Sequence, residues 1–304
     1  MASRLGIFGC DLRRFLSYTR LMRPIALTIA GSDSGGGAGI QADLATFFAH
    51  KVYGTSVITA LTAQNTMSVA GVHAVPAEFV ALQMRTVLQD IPVNAAKTGM
   101  LFNALIVRAV AEEISATGLT TLVVDPVMIA KSGDSLLLDD AVETLIAELL
   151  PLAYCVTPNI PEAERLAGVT IHGVDDMKRA AEKILALGPR NVVVKGGHMR
   201  GEKTLVDVAL VNGMFHQLAR ERIDTQNTHG TGCTFSAAIT AGMAGGLDIW
   251  SAVESAWVYI GKAIENAWSL NEGLTPGKGL TPGKGLAPSG DSPVKSHSPV
   301  ERFF

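Results

Sequence analysis

Cysteine is scarce: there are three in 304 residues, Cys10, Cys155 and Cys233, and no two are close in sequence. Three cannot build a disulfide framework, and no Cys/His spacing resembles a zinc site. A reducing cytoplasm is the compartment this implies. Charge is scarce as well. Charged residues make up 17% of the chain and the formal net charge is −3, so neither nucleic acid nor an anionic membrane surface is expected as a partner. No apolar run approaches the ~20 residues needed to cross a bilayer. Two phosphate-binding signatures are also missing. No Gly-x-x-x-x-Gly-Lys-Ser/Thr occurs, and the glycine-rich stretch lacks Gly-x-Gly-x-x-Gly because position 40 is Ile40. That removes the P-loop kinases and disfavours a nicotinamide-dependent dehydrogenase.

Apolar residues, by contrast, make up 48% of the chain, enough to bury the core of one large α/β domain of about 250 residues. Residues 1–22 read as a dispensable extension, although their Arg-rich, acid-poor character is that of a transit peptide. Met22, just before the domain, offers a second possible start. The domain itself is expected over 23–270. Residues 271–304 form a Gly/Pro/Ser-rich tail in which Gly-Leu-Thr-Pro-Gly-Lys occurs twice and which is expected to be irregular. The tail is too short for a fused second domain.

Within the domain, short apolar runs at 25–30, 56–61, 95–98, 121–125, 154–157 and 191–195 read as strands. Helical periodicity separates most of them, at 40–48, 79–88, 104–114, 141–150 and 176–187. Residues 206–211 and 215–218 around Asn212-Gly213 read as a hairpin, and 234–268 as a helical closing section. This alternation predicts a mostly parallel sheet covered on both faces.

Ligands of such sheets gather beyond the carboxyl ends of the strands, so the loops there carry the candidates. After the first strand comes Gly31-Ser32-Asp33-Ser34-Gly35-Gly36-Gly37, whose backbone can approach a ligand closely. Asp43 lies one residue off the apolar face of the next helix and reads as a solvated acid or an acceptor for a ligand amine. Gln64 and Asn65 can present amides to a heterocycle or simply form a loop.

The strongest local feature is His229-Gly230-Thr231-Gly232-Cys233-Thr234. Small residues opening an Ala-rich helix leave amides free to bind phosphate. Cys233 is placed where a thiol is expected to drift towards thiolate and to accept a proton, unless it is a small core residue. Lys195, in Lys195-Gly196-Gly197-His198, can neutralise phosphate. Asn159 and Glu162, three apart on an opening helix, can hold Mg²⁺ through water, or Asn159 is a plain cap. Asp125 is a further candidate for the metal or phosphate environment.

Together these residues resemble the ribokinase-like superfamily and, within it, the hydroxymethylpyrimidine/phosphomethylpyrimidine kinases of thiamine biosynthesis. The resemblance runs from about Pro24 to about Ala267. It is carried by 30–43, 57–66, 97–101, 125–134, 157–162, 195–198 and 227–234. It implies a three-layer α/β/α sandwich and two successive phosphoryl transfers from ATP with Mg²⁺, in a homodimer. Asp43 and Gln64 would bind the aminopyrimidine, and Gly31, Met100 and Val127 would shape its pocket. Lys195 would contact ATP phosphates, Asn159 and Glu162 the Mg²⁺ region. Gly230, Thr231 and Gly232 would form the anion hole, with Cys233 as the base. The ending departs from the family pattern, since Gly277-Lys278-Gly279 and Gly283-Lys284-Gly285 are duplicates. Two rivals stand beside this reading: a pyridoxal or pyridoxine kinase, and a noncatalytic protein that binds pyrimidine or pyridoxal phosphate.

Overall fold

A computed structural model of the chain describes residues 23–128, 137–198, 203–225 and 227–267. The extension 1–22, the tail 271–304 and the Lys131-Ser132-Gly133-Asp134 match lie outside the described residues. Nine strands form a single sheet in the order β3-β2-β1-β4-β5-β6-β7-β8-β9. These are β1 (Ile25–Asp33), β2 (Tyr53–Gln64), β3 (Val69–Ala74), β4 (Ala95–Thr98), β5 (Leu122–Val124), β6 (Cys155–Val156), β7 (Val192–Val194), β8 (Thr204–Val211) and β9 (Met214–Glu221). Six of them, β1, β2, β4, β5, β6 and β7, run parallel, while β3, β8 and β9 are antiparallel additions at the two edges.

Register decides which side chains share a face, because successive residues of a strand point to opposite sides. Leu27, Ala96 and Leu122 lie in one row across the sheet. They enter the larger core, beneath α2 (Ala77–Asp90), α3 (Ala104–Thr117), α5 (Ile160–Ala167) and α6 (Val174–Leu185). The short α4 (Asp139–Thr144) closes the same side and passes into a wider π turn at Leu145–Leu149. The next row, Thr28, Lys97, Val123 and Cys155, points the other way. That face is covered by α1 (Gly39–Ala49), α7 (Thr231–Ala244) and α8 (Ile249–Glu265). Helices on both faces of a mostly parallel sheet make the three-layer α/β/α sandwich that the alternation predicted.

The differences from expectation are local. Strands β1 and β2 run three residues beyond their apolar stretches, because polar residues at their ends continue the ladder to Asp33 and Gln64. The antiparallel β3 was missed, since a strand half exposed to water carries little apolar signal. The closing helix is two helices, parted after Gly245 by Gly246, whose φ of 92° suits glycine. Phe48, the last residue of the helical periodicity read over 40–48, is 71% exposed rather than on the buried face.

Candidate active site

Strand order reverses beside β1, whose neighbours β2 and β4 lead away in opposite directions. A cavity of about 720 Å³ opens at the carboxyl ends there and extends past β5 and β7 to β9 and α8. Gly31, Gln64, Met100 and Val127 line one part of it, and Asp125, Asn159, Glu162, Lys195 and Gly230 to Cys233 line the middle. The far part combines apolar Leu205, Ile223, Phe235, Trp257, Ile260 and Ile264 with Asp207, Arg220, Glu221 and Arg222. Arg220 lies over the Trp257 ring, 3.9 Å from its centroid, and donates to the Trp257 carbonyl at 2.6 Å.

Asp33 organises the glycine-rich loop. Its carboxylate accepts the amides of Gly35, Gly37 and Ala38 at 2.8, 3.1 and 2.8 Å. His229 Nε2 lies 3.1 Å from Asp33 Oδ2, joining this loop to the start of α7. Burial opposes the charge on Asp33, but His229 and the loop amides hold its carboxyl below the usual range. Gly37 has no side chain for a spatial reason: a Cβ there would lie 2.2 Å from the His229 ring.

Below the cavity, Asp43 and Lys97 form an ion pair at 2.8 Å with both side chains fully buried. Thr28 donates to the other Asp43 oxygen at 2.6 Å. Burial tends to strip Lys97 of its proton, yet Asp43, Cys233 and Asp125 together raise its pKa. A second pair lies at the cavity wall. Lys195 Nζ is 2.9 Å from Asp125 Oδ1, and Asp125 also accepts Thr157 at 3.4 Å and Ser236 at 3.2 Å. Burial again works against both charges. Lys195 and Lys97 nevertheless bring Asp125 below its ordinary value, and Asp125 with Glu162 raises Lys195. For Glu162, burial and the Asp125 charge win over Lys195 and push the carboxyl up to about 7.

Gly230 caps the start of helix α7, and its φ of 78° favours glycine. The helix's opening amides at Gly232 and Cys233 have no carbonyl one turn back and lie at the cavity wall. Cys233 departs from expectation. Burial, with Asp43 and Asp125 adding to it, pushes the thiol up to about 11 against the pull of Lys97 and the Gly39 amide. The helix start is outweighed chiefly by burial, with two carboxylates, one from α1 and one from just beyond β5, adding to it.

All the expected site residues but Asn65 and Asp43 therefore line a common cavity. Asp43 is neither solvated nor on the cavity wall, but fully buried beneath it. Asn159 and Glu162 form a reciprocal capping box, at 3.0 and 2.8 Å, and Asp125 is occupied by Lys195, Thr157 and Ser236. Among the described residues no group of three or more His, Cys, Asp or Glu side chains is arranged to hold a metal ion. Asn159, Glu162 and Asp125 thus each have protein partners at the cavity wall. Sequence reasoning gave no role to Asp33, His229, Lys97, Ser236 or Arg220. The one available signal was a lone lysine within the apolar strand β4.

The mostly parallel sheet, its strand order and the helices on both faces make a ribokinase-like fold. Two solved structures share it: Clostridium difficile phosphomethylpyrimidine kinase, with TM-score 0.72 and 48% identity over 80% of this chain and 100% of that one, and an ADP complex of Bacillus subtilis pyridoxal kinase, with TM-score 0.76 and 40% identity over 83% and 95%. The chain belongs to the phosphomethylpyrimidine kinase family, whose model matches residues 33–278. Curated relatives include the hydroxymethylpyrimidine/phosphomethylpyrimidine kinases of Bacillus subtilis, 49% identical over 83% of this chain and 93% of that one, and of Rhizobium meliloti, 51% identical over 81% and 92%.

Proposed function

We propose that this chain phosphorylates the hydroxymethyl group of 4-amino-5-hydroxymethyl-2-methylpyrimidine with ATP, and then phosphorylates the monophosphate to the diphosphate, for thiamine biosynthesis. The observation that carries this reading is the continuous cavity. It joins the pocket beside Gly31 and Met100 to Lys195, the start of α7 and a far end whose apolar side chains suit a flat base. Gln64 Oε1 accepts from Thr62 at 3.2 Å, which leaves the amide nitrogen for the pyrimidine, while Met100 and Val127 flank the ring. Adenine would lie among Ile223, Trp257 and Ile260.

In the first step the hydroxymethyl oxygen bonds to the γ-phosphorus, its proton passes to the thiolate form of Cys233, and the bond to the bridging oxygen breaks to release ADP. Lys195 and the Gly230-Thr231-Gly232 turn, through its open amides at Gly232 and Cys233, bind the transferring group, while the Thr231 amide is held by the Thr228 carbonyl at 3.5 Å; they supply mainly position and electrostatic stabilisation. In the second step a phosphate oxygen of the monophosphate is the nucleophile, and it needs little deprotonation. Mg²⁺ is expected to arrive with ATP, bound by its phosphates. Homodimerisation and a cytoplasmic location belong to the same proposal. Among the described residues no helix is long and apolar enough to cross a membrane.

A pyridoxal kinase is the second reading, favoured by the likeness to the Bacillus subtilis pyridoxal kinase structure. The test offers hydroxymethylpyrimidine, its monophosphate and pyridoxal to the protein with ATP and Mg²⁺, and resolves the products by mass. Pyrimidine diphosphate is the expected product. Turnover of pyridoxal alone would move the chain to vitamin B6 salvage, and tight binding without turnover would make it a noncatalytic binder.

A further inference from the structure

Asp33 accepts three amides of its own loop, those of Gly35, Gly37 and Ala38, which is enough to shape a glycine-rich turn. His229 adds a fourth partner to the same carboxylate from 196 residues away. The loop does not need that partner for its own shape. What the contact supplies, and local bonds cannot, is a link between the two sides of the cavity.

On the pyrimidine side the loop is fixed to its neighbours. Ser34 Oγ donates to the Gln64 carbonyl and accepts the Gln64 amide, both at 2.8 Å. Gln41 of α1 accepts the Asp33 amide at 3.0 Å and donates to Ser32 Oγ at 2.7 Å. On the phosphate side, His229 stands directly before Gly230 and three residues before Gly232, at the opening of α7. Between the two, His229 Nε2 meets Asp33 Oδ2 at 3.1 Å, with side-chain exposures of only 13% and 3%. An ionised carboxylate can only accept, so Nε2–H donates, and so little water leaves the contact weakly screened. The His229 ring also occupies the space that a side chain at Gly37 would take. Loop and turn therefore meet through a hydrogen bond and through packing.

We propose that His229 is a positioning residue: its contact with Asp33 locks the glycine-rich loop to the anion-binding turn and sets the distance between the pyrimidine pocket and the open amides of α7. The lock stands on the geometry alone, and its catalytic consequence rests on the kinase reading. The nucleophilic oxygen belongs to the group held on one side, and the transferring phosphoryl is held on the other. A misplacement of about 1 Å between such groups costs about 100-fold in rate.

Hydrogen exchange read by peptide mass spectrometry tests the lock without any substrate. In His229→Leu, exchange in the peptide covering 33–40 is expected to rise at least about tenfold, the loss of one charge-assisted bond. A control peptide from α6 (Val174–Leu185), on the opposite face of the sheet, should stay unchanged. His229→Gln places an amide nitrogen where Nε2 stood and should restore most of the protection. In steady-state kinetics His229→Leu should lose about 100-fold in kcat with KM for pyrimidine and ATP nearly unchanged, and His229→Gln should recover most of it. Unchanged exchange at 33–40 in His229→Leu would overturn the lock. Restored protection in His229→Gln without recovered kcat would overturn the positioning role, because the imidazole itself would then be needed. If His229→Leu does not fold, Asp33→Asn takes its place: exchange at 229–236 should rise, and an unchanged value counts against the lock. A wild type that phosphorylates none of the offered substrates overturns the kinase reading, and exchange still decides the lock.

Discussion

Lys97 and Lys195 each hold an aspartate at nearly the same distance, 2.8 and 2.9 Å, and both charges of each pair are drawn from water. The pairs differ in what else can reach them. Lys97 and Asp43 are both at 0% exposure, whereas the Lys195 side chain keeps 15% of its surface at the cavity wall. Lys195 can therefore exchange Asp125 for a phosphate oxygen when ATP enters. Lys97 can only act at a distance, through the field it imposes. In the proposed function, two pairs of the same chemistry are thus separated into a ligand-binding cation and a background charge by their access to the cavity.

The sharpest way to test that division is Lys195→Met. A preorganised donor to the transferring group is worth about 100- to 1000-fold in kcat, and steady-state kinetics should show a loss of that size together with a raised KM for ATP. Next comes Cys233→Ala. Loss of a positioned base is expected to slow the first phosphorylation about 100-fold and the second far less, because the monophosphate presents an oxygen that is already largely ionised. Equal losses in the two steps, measured separately with hydroxymethylpyrimidine and its monophosphate, would break the assignment.

A smaller effect concerns Glu162. Its carboxyl titrates at about 7 in the fold, above its ordinary 4.5, so between those values the folded state holds more protons than the unfolded chain. Stability is then highest at low pH within that window and falls as pH rises through about 7, by on the order of 3 kcal/mol. Denaturant unfolding of Glu162→Gln should show that slope flattened, with the larger gain in stability at the alkaline end. Smallest is Asn159→Ala. It removes the cap of α5 and should cost about 1 kcal/mol. A far larger fall in kcat than in stability would instead give Asn159 a direct part in nucleotide binding.

Much of this arrangement is legible along the chain, because each strand is followed by its own loop and the cavity collects those loops. Gly31, Gln64, Asp125, Asn159, Lys195 and the Gly230 to Cys233 turn are each found at a strand end or a helix start. What is not legible is the pairing between distant segments. Asp43 meets Lys97 across 54 residues, and Asp33 meets His229 across 196. A carboxylate beside an apolar helix face looks solvated until its counter-ion is known. The same gap misleads for Cys233. The helix start that lowers a thiol's pKa is local, while the burial and the two acids that raise it come from other elements. Edge strand β3 escaped notice because half of its residues face water, which leaves little apolar signal.

Nucleotide binding by calorimetry, with a nonhydrolysable ATP analogue and three proteins, tests the division between the two lysines most directly. Wild type and Lys97→Met/Asp43→Asn are expected to bind with equal affinity, while Lys195→Met binds at least about tenfold more weakly, the loss of one charge-assisted contact. Equal binding by wild type and Lys195→Met, with the loss appearing in the double variant instead, would contradict it.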